Sequence, residues 1–213
     1  MKKIIIIFIS LLFFISCSSK KDKFEDYNLS DEAWLSKIMK NIEKDELEKA
    51  DNNYTSFYSE HIHSPLLKST ILILADAHAS EHEYLLANFY IDEYIKLYAD
   101  SNNIEWLNYL KLKNIFNGLA LPKRNQFVIL EALNEITKFK NEYPNSIYIP
   151  YINTMQTKLN LTQLLLNKDI QKLYKKMGYK DSVQAYNNLI NENDLKDIDY
   201  IKPKLPWYRK IFE

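Results

Sequence analysis

Hydrophobic residues recur along most of the chain at the three- and four-residue intervals of amphipathic helices. Trp34, Ile38 and Ile42, for example, lie four positions apart, which places them on one face of a helix. Ser30 precedes this segment, and the two acidic residues directly after the serine are typical of a helix start. Polar stretches, some marked by a proline such as Pro65, separate one apolar segment from the next. The pattern predicts an all-α protein built from consecutive helices.

The predicted helices form about five pairs, and the clearest run from Leu66 to Ala79, from Glu83 to Tyr98 and from about Gln126 to Tyr143. Several second helices share an alanine, a large residue four positions later and another large residue three positions after that. The matching triplets are Ala50-Tyr54-Phe57, Ala87-Ile91-Tyr94 and Ala132-Ile136-Phe139, and Ala185 is counted as a fourth alanine of this kind. The small alanine lets a neighbouring helix approach closely, while the larger residues fill the groove beside it.

This pattern resembles that of tetratricopeptide (TPR) repeats, in which stacked helix pairs form a solenoid. The intervals between the four alanines exceed the regular period of 34 residues, so the repeats are degenerate. We therefore predict a degenerate TPR helix-pair solenoid. A generic helical bundle with a coincidental alanine pattern is the alternative.

The first residues are typical of an export signal. Two lysines precede an apolar run from Ile4 to Ile15, which Ser10 alone interrupts and which is too short for a transmembrane helix of about 20 residues. At the end of this run, the sequence Phe14-Ile15-Ser16-Cys17 resembles a bacterial lipoprotein processing box and contains the only cysteine of the chain. That resemblance implies a covalent lipid on Cys17. An ordinary signal peptide or an uncleaved anchor is the alternative.

These features divide the chain into four predicted parts. Residues 1–16 are the signal peptide, 17–29 a lipidated flexible tether, 30–201 the helical repeats and 202–213 a C-terminal tail. Ser18 follows the cysteine at the position where aspartate is typical of retention at the inner membrane. By resemblance to sorted lipoproteins, this favours a lipid anchor in the outer membrane and a protein facing the periplasm.

Composition argues against most other functions. Two glycines, Gly118 and Gly178, cannot form a Gly-rich phosphate loop, and 28 basic against 28 acidic residues give no basic surplus for nucleic acid. The histidine pairs His61/His63 and His78/His82 lack a third ligand at an evident spacing, so we predict a loop for the first pair and surface or groove positions for the second. No paired acid and base or activated nucleophile stands out. We predict a protein that is not an enzyme and has no cofactor other than its lipid.

Local sequences extend the resemblance to one family. They are the segment from Ala87 to Leu97, Asn103-Ile104-Glu105-Trp106 followed by Tyr109, and Tyr143-Pro144-Asn145-Ser146. Together with the signal and the helix pairs, these sequences resemble the BamD family, the TPR lipoproteins of the outer-membrane β-barrel assembly (Bam) machinery. The resemblance implies a scaffold that binds a BamA-like barrel protein through its POTRA domain, unfolded outer-membrane protein segments and other lipoproteins of the same complex.

The resemblance also implies two sites. On the first helix of the second repeat, the candidate substrate-groove residues are Ser69, Leu72, Asp76 and Ala79. The candidate partner-docking residues are Tyr174, Lys175, Lys176, Met177, Gly178, Trp207 and Tyr208. Met177 stands where family members have a basic residue that contacts the barrel partner, which weakens the transfer of that contact. For Trp207 and Tyr208, a terminal helix that caps the repeats is the alternative.

Two other functions remain open. Another TPR lipoprotein, such as a pilotin that escorts a secretin to the outer membrane, is the first alternative. A lipid-anchored periplasmic hydrolase is the second, although the missing catalytic residues disfavour it.

Overall fold

The computed structural model describes residues 27–119 and 126–197. These two ranges contain eight helices and no strands. The helices are α1 (Asp31–Ile42), α2 (Leu47–Glu60), α3 (Leu66–Ser80), α4 (Tyr84–Tyr98), α5 (Ile104–Asn117), α6 (Gln126–Glu142), α7 (Ile149–Met177) and α8 (Lys180–Asn191). The prediction of an all-α fold is confirmed. None of these eight helices is long and apolar enough to cross a membrane.

Local chemistry explains where the first helix begins and ends. The Ser30 hydroxyl accepts a hydrogen bond from the Ala33 backbone N–H at 3.3 Å, as expected of an N-cap serine. Asp31 and Glu32 lie in the first turn and Lys40 in the last, so their charges complement the helix dipole. Trp34 and Ile38 point inward from this helix and are buried.

Consecutive helices pack against each other along the whole described chain. The pairs α1–α2, α3–α4, α5–α6 and α7–α8 each pack internally, and every pair also contacts the next. In addition, α1 contacts α3, so the first helices of the first two repeats lie side by side. This adjacent packing is that of a TPR-like helical solenoid, as predicted.

The described ranges contain four helix pairs, compared with the five or so expected for the repeats. The difference arises at α7, which is one continuous helix of 29 residues. Proline at the first turn of α7 is compatible with helix geometry because that position needs no backbone N–H donor. The next interruption is Gly178, which ends the helix.

The alanine pattern marks buried faces in three of the four second helices. Ala50, Ala87 and Ala132 are all buried. Ala185 differs because it is exposed, and α8 has no buried residue at all. Within residues 126–197, α8 packs against α7.

The buried side chains form two separate hydrophobic clusters. The first joins α1 to α4 and includes Trp34, Phe57 and Ile71. The second joins α5 to α7 and includes Ile136 and Ile152. Helix α5 contributes to both clusters, with Leu107 in the first and Leu112 in the second. The fold therefore consists of two packed halves that meet at α5.

Candidate interaction surfaces

A groove of about 520 Å³ opens where the first two repeats meet. Its walls are mainly apolar: Met39 and Ile42 of α1, Leu47 at the start of α2, and Leu72, Ile73 and Ala77 of α3 line it. The opposite face of α3, with Leu67, Ile71 and Leu74, is fully buried in the first cluster. Packing of that face fixes α3, so the groove wall is held in place by the core behind it.

Three carboxylates are among the residues that line this groove. They belong to Asp45 in the turn after α1, to Asp76 on α3 and to Glu81 just after α3. Within the described residues, none of the three side chains takes part in an ion pair or side-chain hydrogen bond. Asp45 has a backbone φ of 57°, in the left-handed region that Asp tolerates better than most residues. The groove therefore combines apolar walls with three carboxylates.

The predicted groove residues divide into two that line this space and two that do not. Leu72 and Asp76 line the groove. Ser69 is exposed one turn earlier on α3, and its hydroxyl donates to the Leu66 carbonyl at 2.9 Å. Ala79 is partly buried near the end of the same helix, outside the groove lining.

Sequence reasoning missed the wall that α1 contributes. Met39 and Ile42 have the helical spacing of core residues, so their sequence pattern gave no sign of a groove. Only the packing of α1 against α3 places them opposite Leu72.

A buried hydrogen-bond network ties α2, α3 and α4 together on the other side of α3. The His78 side chain is only 1% exposed. Its Nε2 lies 2.9 Å from Oδ1 of Asp51 on α2, and its Nδ1 lies 2.6 Å from Oε2 of Glu83. The Tyr90 hydroxyl donates to the same Asp51 oxygen at 2.6 Å, and its ring stacks on the imidazole with centroids 5.4 Å apart. The prediction that His78 is a surface or groove residue was wrong.

Burial also changes the acid–base properties of two tyrosines beside this network. Burial raises the pKa of Tyr90, and its hydrogen bond to the Asp51 carboxylate raises that pKa further. Burial is also the main reason that the pKa of Tyr54 is raised. The two rings meet edge to face with centroids 5.7 Å apart. Both hydroxyls therefore stay protonated well above the ordinary range for tyrosine.

The other histidines lie nearer the surface. His82 is exposed with a φ of 65°, and its Nδ1 lies 2.8 Å from the Tyr84 hydroxyl. His61 bridges the start of α1 and the end of α2, because its Nδ1 lies 2.8 Å from Oδ1 of Asp31. In residues 27–119 and 126–197, no group of three or more His, Cys, Asp or Glu side chains is arranged to hold a metal ion.

The turn between α7 and α8 forms a second candidate surface. Gly178 has a φ of 79°, and its N–H donates to the Lys175 carbonyl at 3.3 Å. The next N–H, that of Tyr179, donates to the Tyr174 carbonyl at 3.1 Å. These two bonds are those of a Schellman C-cap, in which glycine adopts the left-handed conformation at no steric cost.

Around this turn, the side chains are largely open to solvent. Lys175, Lys176 and Met177 are exposed, the last by 55%. Tyr174 is half-buried, with its ring 6.1 Å from that of Tyr179. Lys175 and Gly178 also line a cavity of about 460 Å³ between α7 and α8. The turn is thus rigidly capped and carries exposed basic and apolar groups.

Comparison with known proteins decides the family. The family model described as "YfiO: Outer membrane lipoprotein" matches residues 28–193. The "Outer membrane protein assembly factor BamD" of Helicobacter pylori is 38% identical over 197 residues, which cover 92% of this chain and 90% of the relative. The chain belongs to the BamD family.

Membership of the BamD family has direct consequences for function. It supports a role in outer-membrane protein assembly and an association with the outer membrane, as predicted. BamD family proteins are scaffolds, so the prediction that the chain is not an enzyme is confirmed.

Three of the predicted BamD-type site residues lie outside the described ranges. They are the lipidation candidate Cys17 and the tail residues Trp207 and Tyr208. The groove and docking assignments of the remaining residues stay predictions.

Proposed function

We propose that this BamD family member is a lipid-anchored scaffold that holds an unfolded outer-membrane protein segment in one half and a barrel-inserting partner on the other. The observation that supports this proposal most is the separation of its two surfaces. The groove lies between α1 and α3, in the half of the first cluster, and the turn at Gly178 lies beyond the second cluster. One chain can therefore contact two proteins at once without competition between them.

The groove suits an extended segment of unfolded substrate. With a volume of about 520 Å³, the groove has room for side chains of such a segment. Apolar walls from Ile42 and Leu72 would bury one or two side chains of the segment. The groove needs no rearrangement of the core, since the buried face of α3 is already packed.

The turn after α7 suits the POTRA domain of a BamA-like partner. Lys175 and Lys176 present two positive charges, and Met177 presents an adaptable apolar side chain beside them. The Schellman cap at Gly178 fixes the backbone, so little conformational entropy would be lost on binding. Trp207 and Tyr208, which lie outside the described ranges, remain candidate docking residues from the family resemblance. Other lipoproteins of the complex are further candidate partners.

The anchor would be a covalent lipid on Cys17 after removal of residues 1–16. Residues 17–29 would then connect the lipid to α1, and residues 30–201 would hold the repeats before the tail at 202–213. We place the lipid in the inner leaflet of the outer membrane, with the protein in the periplasm. Family membership favours this role over the pilotin alternative.

Site-specific photocrosslinking in the bacterial envelope tests both surfaces. A photoreactive residue in place of Leu72 should capture unfolded outer-membrane protein chains, and one in place of Met177 should capture the barrel partner. Glu131 is an exposed residue of α6 away from both surfaces and provides the matched control. Equal capture at all three positions, or capture of a secretin in place of a POTRA-containing partner, would contradict the proposal.

A further inference from the structure

The residues that lead into α1 carry a motif that neither proposed surface uses. Asn28-Leu29-Ser30 has the form Asn-x-Ser/Thr, with a residue other than proline in the middle, in which asparagine can accept an N-linked sugar in exported proteins. We propose that Asn28 is a glycosylation site, modified in the periplasm by transfer of an oligosaccharide from a lipid diphosphate carrier. This inference rests on the export of the chain that the proposed function includes.

The fold separates this motif from two others of the same form. These are Asn53-Tyr54-Thr55 in α2 and Asn160-Leu161-Thr162 in α7, and both of their asparagines are half-buried. Their threonine hydroxyls donate to carbonyls one turn earlier in the same helix, at 3.0 and 2.8 Å. Residues two positions apart in a helix do not face each other, so neither motif presents its amide and its hydroxyl together. The folded chain therefore withholds both from a transferase.

The motif at Asn28 is presented to solvent. It lies outside the helices, and Asn28 and Ser30 are exposed, whereas Leu29 between them packs against the first hydrophobic cluster. Within residues 27–119 and 126–197, the Asn28 carboxamide has no hydrogen-bond partner. The Ser30 hydroxyl accepts the N-cap bond from Ala33, which leaves its own O–H able to donate. The acceptor amide and the hydroxyl that a transferase recognises are thus both accessible.

Contacts with His61, just after α2, hold the backbone next to Asn28 in place. Its Nε2 lies 2.7 Å from the Leu29 carbonyl oxygen, and its Nδ1 lies 2.8 Å from Oδ1 of Asp31. Asn28 precedes these contacts and has a φ of 55°, in the left-handed region that asparagine adopts more readily than most residues. A bulky group on the Asn28 side chain therefore need not displace the packed residues that follow it.

The transfer is a displacement at the anomeric carbon of the sugar. Nδ2 of the Asn28 carboxamide forms a bond to that carbon, the bond from the carbon to the diphosphate oxygen breaks, and the lipid diphosphate leaves with the electron pair. The nitrogen loses one proton to a base of the transferase, and nothing is oxidised or reduced. The product is a neutral amide that carries a bulky, solubilising group.

A glycan at this position is compatible with the proposed substrate groove. Helix α1 has 12 residues and is about 18 Å long, and the groove is lined by Met39 and Ile42 near its opposite end. Tyr27 and Ile62, which adjoin Asn28 and His61 in the sequence, are 67% and 54% exposed. The glycan would cover apolar surface at the start of α1 and leave the groove open.

Mass spectrometry of the full chain, purified in detergent from the envelope of its own bacterium, tests this proposal. The intact chain should be heavier than the lipidated polypeptide by the mass of one oligosaccharide. Fragmentation of its peptides should place the sugar on Asn28 and on neither of the asparagines in α2 and α7. Asn28→Asp should lose the added mass, because a carboxylate offers no amide nitrogen, and aspartate also tolerates the positive φ.

Substitutions of Ser30 provide the matched controls. Ser30→Asp retains an N-cap but removes the motif and should abolish the modification, whereas Ser30→Thr retains both and should keep the sugar. An unmodified chain in the outer-membrane fraction, a sugar on Asn53 or Asn160, or a sugar that persists in Ser30→Asp would overturn this inference and leave the proposed function intact. A chain that stays in the cytoplasm without a sugar would contradict the proposed export as well.

Discussion

Replacement of His78 should destabilise the half of the fold around the first hydrophobic cluster far more than replacement of a surface histidine would. Its Nδ1 lies 2.6 Å from a carboxylate oxygen of Glu83 and its Nε2 lies 2.9 Å from one of Asp51, so the buried ring is hydrogen-bonded to acidic side chains on both sides. Each hydrogen bond of this charge-assisted kind contributes about 1.5–3 kcal/mol. The Glu83 side chain is 48% exposed and can be rehydrated, which reduces its share. We therefore expect His78→Leu to cost about 2–4 kcal/mol.

Urea unfolding followed by circular dichroism measures this cost as a lower midpoint at an unchanged slope. His78→Gln keeps one donor and should fall between the wild type and His78→Leu. His82→Asn provides the control, because asparagine accepts the positive φ and only a surface hydrogen bond to Tyr84 is lost. If His78→Leu changes the free energy of unfolding by less than about 0.5 kcal/mol, or no more than His82→Asn does, the network does not stabilise the fold as argued.

Three further predictions concern other parts of the chain. Gly178→Ala should lower the free energy of unfolding by about 1 kcal/mol, because its φ is 79° and an added Cβ would contact nothing within 4 Å, so the loss comes from backbone strain; thermal denaturation compares it with Gly178→Asn, which tolerates this φ better and should lose less, and equal losses would count against the argument from φ. Ser30→Ala should cost about 1 kcal/mol through the lost N-cap, while Ser30→Asp should retain it, as chemical denaturation can show. Burial raises the pKa of Tyr54 and Tyr90, so these tyrosines ionise at a lower pH in the unfolded chain than in the folded chain. Their contribution to the free energy of unfolding should therefore be complete below pH 10, the ordinary pKa of tyrosine, and should decrease as the pH rises above it. The tyrosinate absorbance of these two residues should therefore appear only when the chain unfolds. Their ionisation in the intact fold would contradict the burial argument.

Helix positions follow closely from the sequence because their signals are local. The predicted helix from Leu66 to Ala79 matches α3 to within one residue, and the serine proposed as N-cap of α1 makes that hydrogen bond. Apolar spacing, caps and prolines act over a few residues, so they can be read without knowledge of the fold. The absence of proline and glycine between residues 151 and 177 agrees with the continuity of α7, which reduces the five or so expected helix pairs to four in the described ranges.

The environment of a side chain depends on residues far away in the sequence, and there the predictions were weaker. His78 was predicted at the surface or in a groove because no third metal ligand has an evident spacing, but Asp51, 27 residues earlier, provides a partner that permits its burial. The groove shows the same limit. Leu72 and Asp76 were predicted from family resemblance, whereas Met39 and Ile42 became part of the site only through the contact between α1 and α3.

The division of the core at α5 implies that mechanical load on one surface need not reach the other. Helix α8 has no buried residue, and its described packing is against α7, so a partner that pulls at Gly178 would strain the second cluster first. The groove belongs to the first cluster, which Leu107 joins to α5 and which packs independently of Ile136 and Ile152. Solenoids transmit energy mainly between neighbouring repeats. The proposed substrate end can therefore keep its shape while the proposed docking end flexes with a bound partner.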